Sequence, residues 1–336
     1  MCLVLKRMWN CLHSMNQQSE TSTESVAKLL LLNTLKPPVC ATSSEYELEG
    51  AMGIDVHVLN FLRYISRKEP LGRVATIGRQ LLMVAPARLA EIMELPMVSD
   101  FGMYSEELLK RHFGANLVDS YDYSDYEGAT FTADMNKPLV PTREYDTVID
   151  CGSLEHIYNV PQAMANISLL CSKGGKIVHI SPGNNFCGHG FWQFSPELFF
   201  SLYSEANGYD ETQVFLADLK SPRHWFEVEP PTNGRRAEVI SKTPLYVMCR
   251  ARKIFDFCHD EVQQSDYVYE WQLSESKKRS QSEMMRRVKQ FIRNSPNLFR
   301  MTWYVRHNLR TMMNPTQLSN LNPHLRKRDV AKLLIA

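Results

Sequence analysis

The sequence predicts an α/β fold: an open, mainly parallel sheet of seven strands with helices on both faces. Three observations predict it. Apolar runs of four or five residues alternate with longer segments of helical spacing, as buried parallel strands alternate with crossover helices. Several runs end on a glycine or an acid, at Gly78, Asp122, Asp134 and Asp150, and open α/β sheets bind ligands at the carboxyl ends of their strands. Residues 147–182 also contain a complete strand, turn, helix, glycine stop and second strand, which is one βαβ unit.

Residues 1–24 read as a disordered leader. MCLVLKRMWNCL places basic residues after apolar ones and lacks the hydrophobic core of a signal peptide, and 12–24 is polar and Ser/Gln-rich. Residues 25–70 read as a helical cap, with one helix over 25–35 and a second carrying Val56, Leu59, Phe61, Leu62, Tyr64 and Ile65. An α/β domain over 71–255 begins with Val74-Ala75-Thr76-Ile77, stopped by Gly78 and followed by Arg79-Gln80. Helical spacing covers 81–95, across the awkward Pro86, and again 105–112. A second strand, 117–122, ends on Asp122, and a third, 129–133, stops before Asp134.

The fourth strand, Thr147-Val148-Ile149, ends on Asp150 and breaks at Gly152 into a polar turn with Glu155 and His156 adjacent. Asn159 with Pro161 starts a helix that Lys173-Gly174-Gly175 ends, because proline needs no amide partner in a first turn. Ile177-Val178-His179-Ile180 is the fifth strand. Ser195-Pro196 caps and starts another helix, with Leu198, Phe199, Leu202 and Tyr203 facing the core, and Asn207-Gly208 stops it. Residues 214–217 and 245–249 are strands six and seven; the long segment 220–243 between them reads as a functional or mobile loop. Residues 256–336 read as a basic helical extension with Met284, Val288, Phe291 and Ile292 as an apolar stripe.

The 336 residues, 44% hydrophobic and 22% charged, describe an ordinary globular protein able to bury a sizeable core. The formal net charge of +1 hides an asymmetry. From residue 276 onward fourteen Lys/Arg face Glu283 and Asp329, a balance of +12; the preceding residues hold 24 Lys/Arg and 35 acids, a balance of −11. Eight cysteines form no CxxC pair, which fits reduced thiols in a cytoplasmic compartment better than disulfides or a structural zinc. No run reaches about 18 apolar residues, so no transmembrane helix is predicted.

The block YDTVIDCGSLEHIYNVPQAMANISLLCSKGGKIVHISP resembles the strand-four to strand-five block of class I S-adenosylmethionine-dependent methyltransferases, in the methyltransferase type 11 or ubiquinone-type branch. Leu154-Glu155-His156, Pro161, Ala163 and Gly174-Gly175 fall at that family's spacing, and the resemblance extends over roughly residues 70–255. It implies a Rossmann-like seven-stranded sheet and S-adenosyl-L-methionine as cofactor. It implies Asp122 as the ribose ligand, since an acid ending strand two can accept from both hydroxyls, with Asp119 the poorer candidate. It further implies Asp134 and the Met135 backbone at the adenine, and the turn of Asp150, Cys151 and Gly152 beside the methionine part.

Two departures from the pattern stand out. The first-strand loop of the family offers several glycines, whereas IGRQ keeps Gly78 alone, leaving Arg79 and Gln80 to replace part of that function, with Arg79 meeting the cofactor carboxylate. An altered loop is equally what a catalytically silent relative shows. In ubiquinone-type members an additional acid precedes Leu-Glu-His and helps hold a divalent ion; here the matching position is Gly152. Glu155 and His156 alone are a poor cage for a hard cation, so no metal is expected.

In methyl transfer positioning carries most of the catalysis, and a base is needed only when the acceptor is a hydroxyl or ammonium. His156 and His189 are the candidates, while His179 inside a core strand reads as structural. His189 lies in GNNFCGHGFWQFSPE, a glycine-rich aromatic loop that suits a substrate lid with Phe191, Trp192 and Phe194 as walls. The expected acceptor is a small molecule or a glycan-like compound methylated at oxygen. Two other readings stay open: a silent methyltransferase-like interaction module, and an RNA methyltransferase or RNA-binding protein. The basic tail, with Phe291, Phe299, Trp303 and Tyr304 interspersed, suits nucleic acid, an anionic membrane surface, the acidic remainder of the chain or a second copy.

Overall fold

The computed structural model describes residues 53–96, 100–256, 262–277, 283–313 and 316–335. The leader and the helix expected over 25–35 lie outside them. The chain divides into Met1–Ala51 and Met52–Ala336, and every described residue belongs to the second unit.

Nine strands form one sheet in the order β3-β2-β1-β4-β5-β8-β6-β7-β9. β1 (Gly72–Ile77), β2 (Ala115–Asp122), β3 (Phe131–Thr132), β4 (Tyr145–Cys151) and β5 (Cys171–Asn184) run parallel to one another. β8 (Leu245–Lys253) is inserted antiparallel between β5 and β6 (Tyr209–Asp218). The expected parallel α/β architecture is present, and the chain reverses its direction of winding between β1 and β4.

Helices cover both faces because consecutive strand residues feed opposite cores. Val148 and Ile177 pack with α4 (Val160–Leu170) and α5 (Pro196–Leu202), whereas Ile149 and Val178 pack with α1 (Val56–Ser66), α2 (Pro86–Ile92) and α3 (Glu106–His112). A strand buried on both sides reads as a continuous apolar run, which is why these strands were visible. On the α1 face Phe61, Phe215 and the fully buried Trp225 pack edge-on, with ring centroids 5.7–6.0 Å apart.

Several expectations are corrected. Pro86 does not interrupt a helix over 81–95: it begins α2, where its missing amide costs nothing, and Leu81 and Leu82 make isolated bridges to Tyr104 and Ile54 instead. The third strand shrinks to two paired residues. Segment 220–243 is no uniform loop, since it contains β7 (His224–Val228), and the basic tail is not wholly helical. After α6 (Ser265–Lys277), α7 (Glu283–Asn294) and α8 (Pro296–Met313), Leu325–Asp329 forms β9 and pairs antiparallel with β7. Arg328 and Arg326 pair with Glu227 and Glu229, so an edge strand made of LRKRD holds by charge what it lacks in apolar pattern. The short α9 (Val330–Ile335) then lays Val330, Leu333 and Leu334 on the α1 core. No described helix is long and apolar enough to cross a membrane.

Candidate functional site

The carboxyl ends of β1, β2, β4 and β5 line one edge of the sheet, and the switch in winding opens a crevice between β1 and β4. Gly78 turns the chain there at φ +75°, its amide donating to Tyr121 O at 2.7 Å. Ser153, just after β4, donates its hydroxyl to Ile77 O at 2.6 Å, and a Cβ on residue 78 would lie 2.7 Å from Ser153 Oγ. Both the backbone angle and the close approach require glycine here. Asp122 ends β2 beside this turn, and the only hydrogen bond its carboxylate takes among the described residues is a long one, 3.4 Å, from the Arg79 amide.

Arg79 and Gln80 are engaged within the protein. The Arg79 guanidinium binds Glu106 at 2.6 Å and the carbonyl of Glu127 at 2.6 Å, and lies 3.9 Å over the Tyr104 ring. It clamps the loop after β2 to α3 and is not free to reach a cofactor carboxylate. The Gln80 amide donates to Ile77 O at 2.8 Å. Asp134 accepts from the Asn136 amide and side chain and pairs with Lys137 at 3.0 Å; the Asn136 bonds, more than Lys137, hold its carboxyl below the ordinary range. The Met135 side chain is buried, and its carbonyl accepts from Asn166.

The turn after β4 is held from inside. Asp150, fully buried, accepts from the Ser153 and Leu154 amides at 3.2 Å with one oxygen, while the other meets His179 Nδ1 at 3.0 Å. His179 Nε2 in turn meets the Tyr203 hydroxyl at 2.5 Å. The Asp150 side chain is therefore an internal support and not a ligand-facing group. Cys151 is likewise buried, its thiol pushed up by burial first and then by Asp150. Gly152 contributes only backbone, at φ +78° with its amide on Ile180 O.

The glycine-rich loop after β5 folds onto this turn. The amides of Phe191 and Trp192 donate to Glu155 O at 2.7 and 3.3 Å, the Trp192 indole donates to Ile157 O, and a Cβ at Gly190 would come within 2.7 Å of Glu155 O. Glycine at 190 thus lets the two loops touch, and the touch carries His189 over Glu155. His189 Nε2 lies 3.5 Å and His156 Nε2 4.0 Å from the same oxygen, Glu155 Oε1, with the two imidazole centroids 5.1 Å apart. Glu155 is 0% exposed, and neither of its carboxylate oxygens makes a well-aligned hydrogen bond. Burial pushes its carboxyl up, opposed chiefly by His189; burial and then His189 push His156 down.

Phe191, 69% exposed, and Trp192, 41% exposed, approach the exposed Tyr158 ring and form an open aromatic rim. Phe194 is no part of it: at 5% exposed it packs on Phe199 in the core. A further group escaped the sequence reading. Phe186 stacks on Tyr246 at 5.7 Å and meets His189 edge-on, while Asp55, the N-cap of α1 and an electrostatic neighbour of Tyr246, accepts the Val58 amide at 2.8 Å. Burial, more than any neighbour, raises both the Asp55 carboxyl and the Tyr246 phenol. An acid just before an amphipathic helix is a readable cap signal, but nothing local ties it to Tyr246, about 190 residues away.

No family model and no curated protein sequence matches the chain. Among solved structures, it is similar to the N-methyltransferase NodS from Bradyrhizobium japonicum WM9 (13% identity, TM-score 0.34, covering 59% of this chain and 93% of that one). It is similar too to the O-methyltransferase from a trans-AT PKS multienzyme of Brevibacillus brevis in complex with S-adenosyl-L-homocysteine (12%, 0.35, 64% and 81%). A third is the Burkholderia thailandensis 1,6-didemethyltoxoflavin-N1-methyltransferase (15%, 0.32, 60% and 78%). Likeness at this level carries no argument about this chain's chemistry.

Proposed function

We propose that this chain is a class I S-adenosylmethionine-dependent methyltransferase acting on a small-molecule or glycan-like acceptor, with oxygen as the methylated atom. One observation carries the reading: the residues that the sequence resemblance nominates for the cofactor, Gly78 and Asp122 above all, meet at the crevice where the sheet reverses its winding. The site fits the cofactor. Gly78 turns the chain at the crevice in close contact with Ser153, Asp122 keeps acceptor capacity for ribose hydroxyls, and the Gly152–Ser153 turn borders the space for the methionine part. Asp134, already engaged by Asn136 and Lys137, offers an adenine amine a shared acceptor beside the Met135 backbone.

When bound, the cofactor supplies a methyl group already activated by a sulfonium leaving group. The protein positions the acceptor and takes its proton. Held by Asp122 and the turns at Gly78 and Gly152–Ser153, the cofactor would present its methyl group to the acceptor oxygen and would itself be the leaving group, as a neutral thioether. The hydroxyl proton passes to His189, or to His156 beside it. The buried Glu155 carboxylate 3.5 Å away stabilises the resulting imidazolium. Phe191, Trp192 and Tyr158 form the rim against which a ring-shaped acceptor stacks.

The test is calorimetric titration with S-adenosylhomocysteine, then an acceptor screen with labelled cofactor. His189→Ala is expected to lower turnover while leaving cofactor affinity nearly intact, and Asp122→Ala to weaken cofactor binding by ~1–3 kcal/mol. No binding at millimolar ligand refutes the enzyme reading. It favours instead a silent interaction module, for which the internally engaged Arg79 speaks. An RNA role is disfavoured by β9, which ties Arg326 and Arg328 to Glu229 and Glu227.

A further inference from the structure

We propose that α7 and α8 form a surface that attaches the protein peripherally to an anionic lipid bilayer, with rings set into the headgroup layer and guanidinium groups on lipid phosphates. Residues 283–313, which these two helices span, carry seven Lys/Arg and Glu283 as the single acid. Among the described residues, neither hydrophobic core takes a side chain from either helix. Their large apolar groups face solvent instead. Phe291 is 70% exposed and Trp303 59%, and Val288, Phe299, Met301 and Val305 are exposed with them. Apolar residues scattered singly over a surface need no explanation, but a cluster of this size between Val288 and Val305 does.

The arrangement suits a lipid interface. On α7, Val288, Phe291 and Ile292 recur at three- and four-residue spacing and share one side, with the exposed Arg287 at its edge and Arg293 on the polar side. On α8, Phe299 and Trp303 stand one turn apart, and with Arg300 and Tyr304 they line an open notch of about 380 Å3. Basic helices with such a face lie in the plane of the headgroups, and Trp and Tyr favour that layer because each ring joins an apolar body to a polar tip. Arginine can lay its stem along apolar neighbours while its head stays among the phosphates.

The composition selects a bilayer over the alternatives. A nucleic acid takes basic and aromatic side chains, but Val288, Met301 and Val305 give it nothing to stack or bond on, whereas the headgroup layer accepts them. The preceding helix, α6, carries Asp266 and Glu270 and is repelled by anionic lipid, so the surface begins at α7. The residues before 276, with their balance of −11, are repelled likewise, which leaves α7 and α8 as the contact. No described helix is long and apolar enough to span the bilayer, so attachment through these helices is interfacial, reversible and weakened by salt.

The inference does not depend on the methyltransferase reading, and its test uses the full-length protein. Flotation is measured with vesicles of phosphatidylcholine alone and with vesicles in which about one lipid in three is phosphatidylglycerol. Partitioning at least about tenfold stronger onto the anionic vesicles is expected, falling at least about tenfold as salt rises from roughly 0.05 to 0.5 M. Phe291→Ser with Trp303→Ser, and separately Arg293→Glu with Arg300→Glu, are each expected to weaken it about tenfold or more. The urea midpoint of both double variants stays near that of the parent, because these side chains lie outside both cores. Equal partitioning onto neutral and anionic vesicles, no partitioning, or partitioning indifferent to both double variants overturns the proposal. So does an RNA of mixed sequence that binds more tightly than the anionic vesicles at the same salt, or a dimer formed through these residues in place of vesicle binding.

Discussion

Replacing Tyr203 by phenylalanine removes a hydroxyl that meets His179 Nε2 at 2.5 Å and Met164 Sδ at 3.7 Å in a dry interior, and measures how firmly the turn after β4 is supported. Asp150, His179 and Tyr203 form a chain in which the carboxylate meets Nδ1 at 3.0 Å and the phenol meets Nε2 at 2.5 Å, all three side chains being at most 2% exposed. Asp150 sets the tautomer: its carboxyl oxygen accepts from Nδ1–H, so Nε2 carries the lone pair to which the phenol donates. Burial pushes that phenol well above its ordinary pKa, so it keeps its proton to donate. Tyr203→Phe removes one oxygen, opens no cavity of consequence and strands the Nε2 acceptor, which costs about 1–3 kcal/mol. Urea unfolding followed by tryptophan fluorescence reads that loss as a lower midpoint with an unchanged slope. Tyr158→Phe, at an exposed phenol, is the control and is expected within about 0.5 kcal/mol of the parent. A Tyr203→Phe variant as stable as that control would refute the chain of bonds, and a large loss of cofactor affinity would show that Tyr203 acts beyond its support of Asp150.

Other perturbations address separate parts of the molecule. Gly78→Ala forces an alanine to φ +75° and sets its Cβ 2.7 Å from Ser153 Oγ; a stability loss of about 1–3 kcal/mol with weakened S-adenosylhomocysteine binding is expected, and an unchanged affinity would remove the turn from the cofactor site. Arg73 holds the Asp146 carboxyl below its ordinary range, so this pair stabilises the fold above the unfolded value near pH 3.9 and loses its effect as pH falls through the lower folded value. Asp146→Asn, at a half-exposed pair, should therefore cost roughly 0.5–1 kcal/mol at pH 7 and progressively less as pH falls below the unfolded value, and a pH-independent difference contradicts the assignment. Among Cys151, Cys171, Cys187 and Cys249, only the exposed Cys187 is expected to react with maleimide in the native protein. The other three are buried, and burial pushes the Cys171 thiol up to about 12, so peptide mapping that finds Cys151 or Cys171 labelled speaks against the core packing.

The parallel core was legible because its signals are local. β1, β4 and β5 are buried on both faces and so appear as unbroken apolar runs, and α5 announces itself with Ser195 as cap, Pro196 in its first turn and the Asn207-Gly208 stop. The antiparallel edge was not legible: β9 is LRKRD, whose charges are paired by Glu227 and Glu229, residues that lie far back in the sequence. Within the site, the backbone requirement at Gly78 was readable, but the fate of a side chain was not. Arg79 was expected to face a cofactor and instead clamps Glu106, Glu127 and Tyr104. Asp150 and Phe194 carry the residue types of a ligand wall, yet the first supports its own turn and the second fills the core. Long-range partnership, which no window of sequence contains, decided the cases of β9 and Arg79.

The pairing of β7 with β9 also bears on how the molecule assembles. Its partners, such as His224 with Asp329, stand roughly a hundred residues apart, whereas β6 and β7 are hairpin neighbours. Loop closure of that length places β9 among the last elements to dock, during folding and during synthesis alike. Until it arrives, the outer side of β7 is an unpaired row of amides and carbonyls flanking Trp225, a template on which another chain can add a strand. The basic edge strand is therefore a guard against self-association as much as a piece of the sheet. Native-state hydrogen exchange should find the β7 and β9 amides opening together, and earlier than those of β4 and β5.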